Sequence, residues 1–210
     1  LELLDHLLKE LRAVPHLEII RLASRYPVVL PQRITAEVAE TLKRYFPVWF
    51  VTHFNHPNEI TEESAGACRR LLDAGIPVLN QAVLLRGVND EPKVIEELMR
   101  GLLKIGVKPY YLFQCDPVRG VSHFRTSVFK GIEIMEHLRG RVSGLAQPTF
   151  ALDTEGGGKI PLLPNYVTSY TENSLMVRNY EGKTFEYENP RPASGKDEEA
   201  PLLPFESAAK

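Results

Sequence analysis

The chain has 210 residues, 43% of them hydrophobic, enough to bury a substantial core as one domain or a large piece of one. A formal net charge of −2 argues against nucleic-acid binding, which calls for a strongly basic surface, and charge or proline interrupts every apolar run before it could span a bilayer. Two cysteines, Cys68 and Cys115, are too few for a disulfide framework and form no C-x-x-C pair, so the sequence reads as a cytoplasmic protein with neither a membrane nor a nucleic-acid partner.

Leu1 begins inside an amphipathic pattern, with Leu3, Leu4, Leu7, Leu8 and Leu11 on helical spacing. Neither an initiator methionine nor a capping residue precedes it, so the chain is expected to be the later part of a longer protein. Short apolar strands then alternate with amphipathic helices. Strands are expected near Leu17–Ala23, Val48–Phe54, Val78–Leu85 and Lys108–Cys115, and a fifth, Thr149–Leu152, leads into a glycine turn. Thr35 and Thr61 read as helix N-caps, Gly75 and Gly106 as C-terminal glycines, and Asp90 as the cap of a helix carrying Val94, Ile95, Leu98, Leu102 and Ile105. Cys68 shares an apolar helix side with Ala65, Leu71 and Leu72 and reads as a buried structural thiol.

Repeated strand-helix order with mostly apolar strands predicts an α/β fold in which parallel strands are covered by helices, as an open sheet or as the later half of a partial TIM-like (βα) barrel. After Asn165 the pattern changes. Ser174–Asn189, with its Glu181-Gly182 turn, is expected to form a β-hairpin, and from Pro190 the proline, glycine and charge content predicts a poorly ordered tail. The expected organisation is therefore 1–164 as barrel units, 165–189 as a hairpin extension and 190–210 as the tail.

In parallel α/β folds chemistry collects at the C-terminal ends of the strands. The polar residues there are Arg21, Ser24 and Arg25, then His53, Asn55 and His56, then Gln81 and Arg86, then Asp116, and finally Asp153. Each has a plainer alternative: Arg25 can simply pair with a carboxylate, and His53 with His56 make an incomplete metal site. The run Gly156-Gly157-Gly158-Lys159 is either a surface turn with a solvated lysine or a cradle whose lysine forms a Schiff base with an aldehyde such as pyridoxal phosphate. Ile160 after Lys159 disfavours a phosphate-binding loop of the Walker type, which needs Ser or Thr there. Asp116 and Asp153, at the mouths of neighbouring strands, either grip an ammonium group by charge-assisted hydrogen bonds or serve as caps and surface charges.

One set of motifs is collinear with a known family. Thr52-His53-Phe54-Asn55-His56-Pro57-Asn58-Glu59-Ile60-Thr61, Asn80-Gln81, Leu84-Leu85-Arg86-Gly87-Val88-Asn89-Asp90, Pro109-Tyr110-Tyr111 through Cys115-Asp116, His123-Phe124-Arg125-Thr126 and Gly156-Gly157-Gly158-Lys159 together resemble the lysine 2,3-aminomutase family from about Leu11 to Asn189. The resemblance implies a radical S-adenosylmethionine isomerase that also uses pyridoxal phosphate. In that family a reduced [4Fe-4S] cluster splits S-adenosylmethionine to a radical that takes a hydrogen from C3 of L-lysine held as an imine. The 2-amino group then migrates to C3 and gives β-lysine. By the same resemblance Lys159 carries pyridoxal phosphate and Asp116 with Asp153 grips the distal ammonium, which favours lysine over glutamate. Gln81 and His53 line the S-adenosylmethionine site, joined by Arg21, Ser24 and Arg25.

The departures matter as much. The family's C-x-x-x-C-x-x-C cluster motif is absent and in the family lies upstream of the matched region, so the chain by itself is expected to be inactive, with cluster ligands outside it and an external electron donor. Glu91 stands where some members have a zinc-binding cysteine, so no zinc is expected. A homo-oligomer is the general prior for such an enzyme. Two alternatives stay open: an aminomutase acting on another amino acid or serving translation-factor modification, and a non-catalytic pyridoxal-phosphate-binding module.

Overall fold

The computed structural model describes residues 1–154, 156–171 and 174–188; the expected tail, Asn189 of the expected hairpin and Glu155 of the glycine turn lie outside the described residues. The chain divides into two compact units, Leu1–Pro164 and a second beginning at Asn165.

In the first unit a leading helix, α1 (Glu2–Arg12), precedes four strand-helix repeats. These are β1 (Ile20–Ala23) with α2 (Tyr26–Val29) and α3 (Ala36–Lys43), β2 (Val48–Thr52) with α4 (Glu62–Asp73), β3 (Val78–Leu84) with α5 (Pro92–Lys104), and β4 (Lys108–Gln114) with α6 (Val128–Leu138). β5 (Thr149–Thr154) and β6 (Gly158–Pro161) complete the sheet. The helix ends follow local chemistry. Thr35 accepts a hydrogen bond from the Val38 N–H at 3.2 Å, and Thr61 with Ser64 forms a reciprocal capping box on α4. Gly75 and Gly106 take positive φ just past α4 and α5, a conformation glycine adopts without strain. Asp90 is a correction: α5 begins at Pro92 with Glu91 as its N-cap, one position too late for Asp90 to cap it. The Asp90 carboxylate accepts instead from the Gly87 N–H at 2.8 Å and closes the preceding turn.

The strands lie in the order β1-β2-β3-β4-β5-β6, parallel through β5, with β6 antiparallel to β5. Consecutive strands as neighbours, with no reversal of order, place every crossover helix on one side of the sheet. This is the single winding of a curled half-barrel, unlike a doubly wound sheet with helices on both faces. The core lies between the sheet and those helices, where Phe50, Leu84, Leu112 and Phe150 meet Leu42, Leu71, Leu98 and Ile134. α5 explains its own packing, since Ile95, Leu98, Met99 and Leu102 fall on one helical stripe and all are fully buried. Cys68 belongs to the same core, as its pattern predicts. In α1 only Leu8 is buried while Leu3 and Leu7 are exposed, so the amphipathic stripe is used along one edge. Among the described residues no helix is long and apolar enough to cross a membrane.

Two contacts between helices and their neighbours make predictions. Gly131 of α6 lies under the Phe150 ring of β5, and a methyl group added there would stand 2.1 Å from a ring carbon. Gly131→Ala is therefore expected to destabilise the fold by about 1–3 kcal/mol through overpacking, measurable by denaturant unfolding. Between α5 and α6, His137 Nε2 lies 2.8 Å from Glu96 Oε2, and Arg100 Nε donates to Glu96 Oε1 at 2.9 Å. Hydrogen bonding from His137, before that from Arg100, holds the Glu96 carboxyl below its ordinary value. A carboxylate with a lowered folded-state pKa contributes stability above its ordinary pKa and loses it as pH falls through the folded value. Glu96→Gln is accordingly expected to lower the unfolding midpoint at neutral pH, with the difference from the parent protein closing in acid.

The second unit is a three-stranded antiparallel sheet, β7 (Val167–Tyr170), β8 (Ser174–Arg178) and β9 (Thr184–Glu188), in that order. The hairpin expected between β8 and β9 is present, with Gly182 at φ +82° and the Asn179 side chain accepting from the Glu181 and Lys183 N–H groups. β7 adds a third strand that four mostly polar residues do not announce.

Candidate active site

Side chains alternate across each strand, and the face turned away from the helices is concave. Val51, Cys115 and Ala151 are buried yet stand outside the helix-packed cluster, which marks that second face. The same alternation puts Arg21, His53, Gln81, Tyr111, Phe113 and Asp153 on it.

Lys159 is placed there by the glycine turn. Gly156 and Gly158 take positive φ, and a Cβ at Gly157 would come within 2.3 Å of the Thr154 hydroxyl, so each of the three positions calls for glycine. The turn folds β6 back on β5 with Asp153 paired to Lys159. Residues paired across antiparallel strands share a face, so amine and carboxylate project together. The Lys159 side chain passes over β5 to β4, where Nζ lies 4.3 Å from the Phe113 ring centroid and 4.8 Å from that of Tyr111. The two rings are stacked at 4.9 Å with 17° between their planes. They give the ammonium a π surface, an attraction of about 0.5–1 kcal/mol at exposed sites. A hydrogen bond with Tyr110, then burial, push the Tyr111 phenol above its ordinary value, so it stays a hydroxyl; Asp153 acts in the same sense and Arg21 opposes. Arg21 and Asp153 therefore both act on the ring above which Lys159 sits.

The other strand-end residues divide. His53 is half-buried, and burial first, then the Arg25 charge, hold its imidazole below the ordinary value, leaving it neutral near pH 7. Gln81 is register-paired with Tyr111. Arg25 donates to Glu59 at 3.1 Å. The Ser24 hydroxyl accepts the Tyr26 N–H at 3.1 Å, a turn role at the start of α2. Asn55 and His56 are tied locally: Asn55 Oδ1 accepts from the Val83 N–H at 2.9 Å and His56 Nδ1 from the Asn58 N–H at 3.1 Å, which commits one of the two His56 ring nitrogens. Arg86 is exposed and its backbone N–H is bonded to Phe124 O. Asp116 is exposed just beyond β4, on the strand next to that of Asp153, with no hydrogen bond or ion pair to Lys159 or Asp153 among the described residues. The strand-end rule does not reach Tyr111 and Phe113, whose signal in the sequence is the aromatic alternation of β4.

Residues 135–203 match the family described as Lysine-2,3-aminomutase. Over 190 residues the chain is 56% identical to the L-lysine 2,3-aminomutase of Clostridium subterminale, a stretch that covers 90% of this chain and 46% of that protein. Nine-tenths of the chain is thus similar to a part of the L-lysine 2,3-aminomutases. It is 53% identical to the L-lysine 2,3-aminomutase of Bacillus subtilis over 90% of this chain and 40% of that one, and 50% identical to the glutamate 2,3-aminomutase of Clostridioides difficile over 89% of this chain and 44% of that one. The chain thus spans roughly half the length of the relatives it matches. Among solved structures, a radical SAM methyltransferase from Sphaerobacter thermophilus is similar at a TM-score of 0.46 and 24% identity, over 58% of this chain and 39% of that one.

Two cofactor fits differ among these residues. An amine over two stacked rings, with a carboxylate paired beside it, is an arrangement that a flat aromatic aldehyde such as pyridoxal phosphate would fit. An iron–sulfur cluster does not fit: among the described residues no three His, Cys, Asp or Glu side chains are grouped to hold a metal, and burial pushes the Cys68 thiol up to about 12.

Proposed function

We propose that this chain is the later part of an aminomutase that moves the 2-amino group of L-lysine to C3, using pyridoxal phosphate and S-adenosylmethionine. The carrying observation is Lys159 Nζ above Phe113 and Tyr111 at 4.3 and 4.8 Å, in register with Asp153. When bound to Lys159, pyridoxal phosphate would supply a π-system into which an unpaired electron can spread. The chain's own residues do the rest of the positioning. Phe113 and Tyr111 form the floor, Asp153 and Asp116 hold the distal ammonium and so set the register of C3, and Gln81, His53, Arg21, Ser24 and Arg25 serve the S-adenosylmethionine side. Residues 1–164 would act as part of a TIM-like barrel and 165–189 as an extension, with cluster ligands and electron donor outside this chain.

A carboxylate at the substrate's far end attracts an ammonium and repels a second carboxylate, which supports lysine over glutamate. The test is to supply the full-length protein anaerobically with S-adenosylmethionine, pyridoxal phosphate, reductant and either amino acid. β-Lysine from lysine and negligible β-glutamate support the reading; β-glutamate as the main product overturns the substrate assignment.

A further inference from the structure

Backbone pairing between β2 and β3 stops at Thr52 and Asn80, one residue before His53. Beyond it the two strand ends are joined by side chains. Asn80, with none of its surface exposed, accepts from the Phe54 N–H at 2.7 Å and donates to the Phe54 carbonyl at 3.0 Å, so its carboxamide takes the place of a paired backbone unit. Asn55 Oδ1 accepts from the Val83 N–H at 2.9 Å. Asn89, 1% exposed, lies behind both strands, donates to the Asn55 carbonyl at 2.7 Å and the Val83 carbonyl at 2.9 Å, and accepts from the Leu85 N–H at 2.7 Å. From the next turn Glu59 accepts the Asn55 and His56 N–H groups with one carboxylate oxygen and Arg25 with the other. Polar groups of three separate segments therefore bond to the backbone of Phe54, Asn55 and His56. Among the described residues none of them bonds the His53 imidazole, which stays free on the concave face.

We propose that Asn89 is a positioning residue: with Asn80, Asn55 and Glu59 it continues the β2–β3 ladder through side chains and holds His53 at a set place beside Gln81. The inference rests on the proposed function for what His53 meets, but its geometry is independent of that. A carboxamide fits the role because it donates twice and accepts once along a line where two strand ends diverge, and both its donor hydrogens and its oxygen are used here. Small displacements of a positioned group reduce rates by as much as about a hundredfold.

The experiment uses the full-length protein with Asn89→Ala and, as the milder change, Asn55→Ala. Three quantities are read: the imidazole titration of His53 by NMR, assigned with His53→Gln; the KM for S-adenosylmethionine; and imine formation with pyridoxal phosphate by absorbance. Arg25 is the charged group acting on the ring and is kept in both variants. The expected result is a His53 midpoint that rises toward the ordinary imidazole value as the ring becomes wetter, a KM for S-adenosylmethionine raised about tenfold to a hundredfold, and unchanged imine formation on β6. A His53 midpoint and KM both unchanged in a variant that retains imine formation overturn the proposal. Should Asn89→Ala lose imine formation as well, the fold has been lost and Asn55→Ala decides. If the parent protein has no S-adenosylmethionine-dependent activity, the functional reading fails, and the His53 titration alone judges the positioning role.

Discussion

Replacing Lys159 by alanine in the full-length protein is expected to abolish formation of the pyridoxal-phosphate imine and to lower amino-group migration by about a thousandfold or more. The size of the loss follows from the geometry. Lys159 is the amine brought to the concave face, its Nζ suspended over the Phe113 and Tyr111 rings, and the glycine turn places it in register with Asp153. On the proposed function, removing it takes away the covalent anchor, and the aldehyde and the substrate amine would no longer be held as one unit. Lys108 is the natural control. Burial pushes its pKa down, which by itself would mark a reactive amine, but its Nζ is committed to the Pro109 and Leu145 carbonyls at 2.9 and 2.7 Å, at the start of β4 and away from the strand mouths. Lys108→Ala should therefore retain the imine absorbance that Lys159→Ala loses. The opposite pattern would show that the lowered pKa, and not the aromatic floor, identifies the cofactor lysine.

Asp153→Asn is expected to raise the KM for lysine by about tenfold to a hundredfold while leaving imine formation at Lys159 in place. The substitution keeps the size of the side chain and removes only its charge. A hydrogen bond to a charged group contributes about 1.5–3 kcal/mol, and an uncharged amide recovers part of it, which sets the range. Asp153 shares the face and the register position of Lys159, whereas Asp116 lies exposed past the end of β4. Asp116→Asn is for that reason expected to have the smaller effect. Steady-state kinetics with lysine and with glutamate check both. A rise in KM for lysine with no gain for glutamate supports an ammonium-binding role, and an unchanged KM for lysine removes Asp153 from the substrate site.

Much of the fold can be read from local chemistry. The strands over residues 48–52, 78–84 and 108–114 fall within the predicted runs, and Thr35, Thr61, Gly75 and Gly106 end their helices as their residue types require. Asp90 misled because Pro92 moves the helix start one residue on, and a carboxylate three residues from a glycine N–H finds that donor first. The first strand starts at Ile20 and not at Leu17, since pairing with Val48 begins only there. β7 has no pattern of its own: it is a strand because β8 offers it a ladder.

The site divides along the same line. Lys159, Asp153, Gln81 and His53 could be named as candidates from the strand-end rule and the motif resemblance, because glycine before lysine and polar residues after apolar runs are features of neighbouring positions. Tyr111 and Phe113 beneath the lysine, Arg21 within electrostatic reach of Tyr111, and the Asn80, Asn89 and Glu59 bonds around His53 join residues distant in sequence. Periodicity and residue type determined where strands and helices form and which lysine follows the glycine turn, since backbone conformation responds to adjacent residues. Which rings that lysine covers, and which asparagines hold the histidine, only the tertiary structure decided, because they depend on strand register and on the direction in which the sheet curls.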